Sequence, residues 1–167
     1  ELRTKKHMRD DRLEALLNKI NLLLGPVEQA CIAGFGQPQL PILFIVGCSR
    51  CGSTLLYQWL AATGLFAYPS NIISRFYGAP YVGSLIHKIF IDYDRSFELC
   101  GKDAIEFRSF LGKTRNAVAP HEFWYFWRRY FKFADMQKLA QEEKPQIEVT
   151  RQLKQQASME QVFKNPL

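Results

Sequence analysis

Pro41-Ile42-Leu43-Phe44-Ile45-Val46-Gly47-Cys48-Ser49-Arg50-Cys51-Gly52-Ser53-Thr54-Leu55-Leu56 decides the reading of this chain. An apolar run meets a short loop of small and polar residues, and the loop opens into an apolar stretch with helical spacing. A buried strand over Ile42 to Val46, feeding a helix from about Ser53 to Ala62, makes a phosphate cradle. The helix start presents unpaired backbone N–H groups and the positive end of the helix dipole. Gly47 and Gly52 let the main chain curl close to an anion. Ser53 and Thr54 add hydroxyl donors, and Arg50 adds a permanent, forked positive charge.

The spacing is close to the G-x-x-x-x-G-K-[ST] phosphate loop: Gly47, Gly52 and Thr54 fit, and Ser53 stands where lysine is expected. The positive charge sits instead at Arg50. In this form Arg50-Cys51-Gly52-Ser53-Thr54-Leu55-Leu56 resembles the 5′-phosphosulfate loop of sulfotransferases that use 3′-phosphoadenosine 5′-phosphosulfate (PAPS), roughly [RK]-S-G-T-[TS]-L-L after an apolar strand. Cys51 replaces serine and Ser53 replaces threonine. Phe163-Lys164-Asn165-Pro166-Leu167 resembles a K-[NST]-P segment of the bacterial branch. Tyr68-Pro69-Ser70-Asn71, Arg75-Phe76 and Pro120-His121-Glu122-Phe123 resemble the same branch.

The resemblance covers most of residues 10–167. It implies an α/β fold with a parallel, P-loop-type sheet and many flanking helices, incomplete at the C-terminus. One domain is expected, with 1–40 a helical extension and 41–167 the core portion. The implied activity is transfer of a sulfuryl group from PAPS to an acceptor hydroxyl or amine, without a metal. Arg50, Cys51, Gly52, Ser53, Thr54 and Leu55 would hold the donor. In the family a later arginine and serine hold the 3′-phosphate, past the end of this sequence.

Sulfuryl transfer is expected to resemble phosphoryl transfer, in which positioning and charge stabilisation do most of the work. Arg50 is the expected cation at the bridging oxygen. The family takes its base from a histidine or a glutamate, which implies His121 and Glu122 here. Each has a plainer reading: a carboxylate in a first helical turn is favoured by the dipole alone, and His121 could cap. His87 reads as a core histidine, and Glu106 is a further candidate base. Tyr68, Ser70, Asn71 and Arg75 are expected on the acceptor side, and Lys164 and Asn165 either approach the donor or are structural.

Composition frames this reading. The 167 residues are 47% apolar and 23% charged, with a net charge of +6; one core is the default at this length. The charge suits an anionic nucleotide, and equally a nucleic acid or a generic basic surface. The expected partner is a small-molecule or glycan-type acceptor, not nucleic acid. No apolar run reaches the roughly 18 residues of a membrane span. Cys31, Cys48, Cys51 and Cys100 do not make a disulfide framework, which suggests a reducing, cytoplasmic setting.

Elsewhere, helical spacing predicts a helix over Asp11 to Leu24, stopped by Gly25-Pro26, and a short one over Val27 to Ala33. Residues 34–41 read as a linker and Gly64 as the cap ending the helix that starts at Ser53. Residues 65–81 read as a structured loop, Val82 to Ile91 as a helix, and Pro120 to Phe133 as a helix with proline in its first turn. Further helices are expected over Asp135 to Glu143 and Pro145 to Met159, and a second strand over Gln161 to Lys164. Phe123 to Trp127 places aromatics on every face of its helix, so one face is core, and the rest either packs as core too or meets an apolar acceptor or adenine. Arg128 and Arg129 would answer that helix's dipole.

Two rival readings use the same loop. Cys48-Ser49-Arg50-Cys51 is a C-x-x-C between a strand and a helix, the local setting of thioredoxin-like oxidoreductases. A P-loop nucleotide kinase or nucleotide-binding module is the other.

Overall fold

The computed structural model describes residues 10–48, 51–99, 105–110, 112–130 and 154–160. Helix α1 spans Asp11–Ile32, capped by Asp10, whose Oδ1 accepts from the amides of Arg12 and Leu13. It runs through Pro26 as one helix, where the sequence predicted a stop and a second helix. The proline removes one intrahelical hydrogen bond, and the burial of Glu28 and Ile32 beyond it keeps the helix in register with the core.

That buried face is partly polar, and each polar group is used. Asn21 Nδ2 donates to the carbonyls of Leu17 and Arg75, and its Oδ1 accepts from Gly78 N at 2.5 Å. A Cβ on Gly78 would meet Asn21 Cβ at 2.9 Å, so only glycine permits this approach. Glu28 lies at the start of α4 (Pro80–Lys88) and accepts from Tyr81 N and Val82 N. A carboxylate there satisfies orphan amides and complements the dipole. The predicted helix Val82 to Ile91 is therefore α4, continued by a π-helical turn over Ile89–Tyr93.

Helix α2 spans Ser53–Ala62 as expected, and Gly64 follows it with φ +69°. The stretch read as a loop contains a short helix, α3 (Asn71–Arg75), capped by Ser70 Oγ on Ile73 N. Ile73 is fully buried and packs with Phe123 and Phe126. Gly83 lets α4 approach α3, with Phe76 Cβ and Ile73 Cα at 3.0 and 3.3 Å from where its Cβ would stand.

The described residues contain one sheet: β1 (Ser109–Phe110) and β2 (Lys113–Thr114), paired antiparallel. The chain is thus mixed, helices with a small sheet, and no parallel sheet occurs among the described residues. Residues 41–48 make no ladder there, and their side chains are largely exposed, Phe44 by 64% and Val46 by 91%. A strand is held by hydrogen bonds to a neighbouring strand, and 42–46 has none among the described residues. Upstream, the amides of Gln39 and Leu40 go to Glu160 Oε2 on α6 (154–160).

The predicted helix over Pro120 to Phe133 is also corrected. Its described part is one turn, α5 (Trp124–Trp127). Pro120 O accepts from Thr114 Oγ1 and His121 N donates to Pro69 O, so this main chain is committed elsewhere. Phe123 then takes φ +57°, which ends any helix from upstream. Its ring stacks on Phe126 with centroids 4.6 Å apart. The expected helix over 135–143 and the strand over 161–164 lie outside the described residues. Of the helix expected over 145–159, only the α6 portion is described.

Candidate functional site

The loop meets α2 through Gly52, at φ +84° and ψ +8°. This left-handed geometry is cheap only for glycine. Cys51 N donates to Cys48 O at 3.3 Å, and Gly52 O accepts from Leu56 N to begin the helix. Gly52, the N-cap residue, gives α2 no side-chain cap. The amides of Ser53, Thr54 and Leu55, in the first turn, therefore carry the dipole's positive end without a side-chain acceptor from the cap position. Cys51 Sγ stands 2.5 Å from where a Gly47 Cβ would be, so Gly47 leaves room for the sulfur. Arg50 lies outside the described residues, as do Lys164 and Asn165.

A cavity of about 870 Å³ opens beside this helix start. Gly47, Ser53, Thr54 and Tyr57 line it from the loop and α2, His121 and Glu122 from the segment before α5. Ser53 and Thr54 of the expected cradle thus border one space with the expected bases His121 and Glu122, whereas Cys51, Gly52 and Leu55 are not in its wall. Most of the remaining wall is apolar, including Phe44, Leu60, Phe66, Phe126 and Met159. Gly112, in the β1–β2 turn at φ +81°, sits between the two polar sides. A Cβ built there would lie 3.7 Å from Thr54 Oγ1 and 3.9 Å from Glu122 Oε1.

Glu122 is exposed, and its Oε2 accepts from Trp124 Nε1. That leaves Oε1 as the oxygen facing Gly112 and Thr54. His121 is more enclosed. Burial, with the positive charges of Arg75 and Lys113, pushes its pKa down to about 4. Its Nδ1 accepts from Phe123 N at 2.9 Å, so the neutral ring carries its proton on Nε2. His121 is a donor toward its surroundings and holds the Phe123 bend. Tyr57 OH donates to Pro69 O; burial, then Tyr68 and Glu122, raise its pKa, so it stays a neutral phenol.

Ser70, Asn71 and Arg75, expected on the acceptor side, do not line the cavity; they position the segment that does. Asn71 Nδ2 donates to Thr114 Oγ1 and Asn116 O, and the amides of Asn71 and Ile72 go to Ala119 O and Ala117 O. Ser70 pairs with His87 Nδ1 at 2.8 Å inside the core. Tyr68 does line the cavity, with its hydroxyl on Val118 O. His87 is fully buried, as a core histidine should be, and burial lowers its pKa to about 4. Glu106 is not in the cavity wall; its carbonyl accepts from Gln58 Nε2 on α2. Arg129 bonds the Tyr77 carbonyl through Nη1.

Tyr57 and Gly112, beside the polar side of the wall, were not picked from sequence. Tyr57 follows Ser53 by one helical turn, a spacing that could have placed it on the same side. Gly112 carried no signal specific to a site, while Trp124 belongs to the aromatic run expected to offer one face to a ligand.

Comparison of the chain with family profiles, with curated proteins and with solved structures finds no match. Among the described residues no helix is long and apolar enough to cross a membrane, and no group of three or more His, Cys, Asp or Glu is placed to hold a metal.

Proposed function

We propose that the chain is a PAPS-dependent sulfotransferase-like domain, transferring a sulfuryl group to the hydroxyl of a small-molecule or glycan-type acceptor. One observation carries the reading: the uncapped start of α2 and the Glu122 carboxylate face each other across Gly112 at one cavity. The Ser53–Leu55 amides and the Ser53 and Thr54 hydroxyls suit a phosphate that leaves with negative charge. Gly52 fits this use, since its left-handed φ turns the main chain into the helix with no side chain in the way. The exposed apolar stretch 42–46 suits the strand that leads such a loop out of a parallel P-loop-type sheet.

The donor, when bound, supplies the activated sulfuryl group. The rest falls to the chain's residues. The N–H groups at the helix start bind and orient the phosphate. Glu122 Oε1 accepts the acceptor hydroxyl's proton, while Trp124 Nε1 holds the other oxygen. His121, neutral and protonated on Nε2, donates a hydrogen bond and shapes the wall instead of taking a proton. Apolar side chains exclude water. Arg50, by the family resemblance, adds the cation.

Turnover with PAPS and a panel of hydroxyl acceptors tests this assignment. Glu122→Gln is expected to slow turnover at least about a hundredfold while sparing donor affinity, since a positioned base contributes roughly 10²–10⁴. A fully active Glu122→Gln removes Glu122 from the chemistry. Arg50→Ala is expected to cost both donor affinity and rate.

A further inference from the structure

We propose that Cys48 and Cys51 form a dithiol that closes into an intramolecular disulfide on reaction with a small disulfide of the glutathione class. The inference does not depend on the nucleotide reading. Both cysteines are exposed. The Cys51 N to Cys48 O hydrogen bond of 3.3 Å ties the main chains of the two cysteines together. Residues joined by an i to i+3 hydrogen bond of this kind lie within about 7 Å at Cα, and a disulfide accepts Cα separations of about 4.4–6.8 Å. The Cys51 side chain is already folded back along the chain: its sulfur lies against Gly47, the residue adjoining Cys48. Glycine at 47 leaves that sulfur room beside Cys48. The third described cysteine, Cys31, is also exposed but lies near the end of α1.

The chemistry balances with the named oxidant. The thiolate of one cysteine attacks a glutathione disulfide sulfur, forming a mixed disulfide and releasing one glutathione thiolate. The thiolate of the other attacks the protein sulfur of that mixed disulfide, forming the Cys48–Cys51 bond and releasing the second. The dithiol loses two electrons and two protons, and two glutathione thiols form. The product is a covalent tie just before Gly52 and the start of α2.

The test is reaction of the reduced, full chain with oxidised glutathione, an acid quench, alkylation of remaining thiols and peptide mapping by mass spectrometry. The expected product is a Cys48–Cys51 bridge, with less than about a tenth of Cys51 left as mixed disulfide, because the second step is intramolecular. In Cys48→Ser the reaction should stop at the Cys51–glutathione adduct, a rise of about tenfold or more in that species. Cys51→Ser should stop correspondingly at Cys48. Stable glutathione adducts on both cysteines of the unmutated chain would overturn the proposal. So would both thiols staying free while Cys31 reacts, or either bridging to Cys100 instead.

Discussion

Ile73 and Phe44 are both large apolar residues in apolar sequence, yet the first is fully buried and the second is 64% exposed. The difference lies in the main chain around them. Beside Ile73, the amides of Asn71 and Ile72 pair with Ala119 O and Ala117 O, Ser70 caps α3, and Phe123 and Phe126 close over the side chain. Residues 42–46 have no strand partner among the described residues, and their side chains are largely exposed. Apolar side chains build a core where backbone polar groups are satisfied, since an unpaired buried amide costs about as much as the burial gains.

The first way to sharpen that contrast is a pair of truncations. Ile73→Ala should lose about 2–5 kcal/mol in urea unfolding, the range for emptying a packed aliphatic site. Phe44→Ala should change stability by less than about 0.5 kcal/mol. Equal losses would break the comparison.

The next effect is pH. His87 and His121 both have folded pKa values near 4, against an ordinary 6.5, with burial the main cause. The unfolded chain therefore binds more protons between pH 6.5 and 4. Stability contributed by each neutral ring is complete above pH 6.5 and is lost as pH falls toward 4, by about 3 kcal/mol apiece. Urea midpoints measured across this window should fall with acid, and His87→Gln should flatten the slope. A slope unchanged in that variant would contradict the burial argument.

Glu28→Ala should cost about 1–3 kcal/mol by leaving the Tyr81 and Val82 amides without their buried acceptor. A smaller loss, about 1 kcal/mol, is expected for Gly52→Ala, since alanine resists φ +84°. That variant should also weaken anion binding at α2, which separates a merely local strain from damage to the cradle.

What could be read from sequence follows the same division. Local signals carried well: α2 begins at Ser53 because glycine precedes an apolar, helix-spaced run, and Gly64 ends it in a left-handed turn. Signals that needed tertiary partners did not. Pro26 looked like a stop, but the buried Glu28 and Ile32 beyond it hold the helix together. Pro120 looked like a helix start, but Pro69 and Thr114 take its neighbourhood's hydrogen bonds and Phe123 bends the chain. In the site, glycine and hydroxyl spacing marked the helix start, and the pairing of that start with Glu122 was an expectation from resemblance. Gly112, which separates the two, was invisible because only the β1–β2 turn brings it there. Ser70, Asn71 and Arg75, though close in sequence to the wall residues Tyr68 and Pro69, do not line the cavity, and Ser70 and Asn71 bond into the scaffold under it.

The central claim is that the first turn of α2 binds the nucleotide's phosphate. Amide NMR during titration with 3′-phosphoadenosine 5′-phosphate tests it most directly. The account predicts saturable shifts at the Ser53, Thr54 and Leu55 amides, diminished in Gly52→Ala. Saturable shifts confined to other parts of the molecule, with those three amides unmoved, would contradict it.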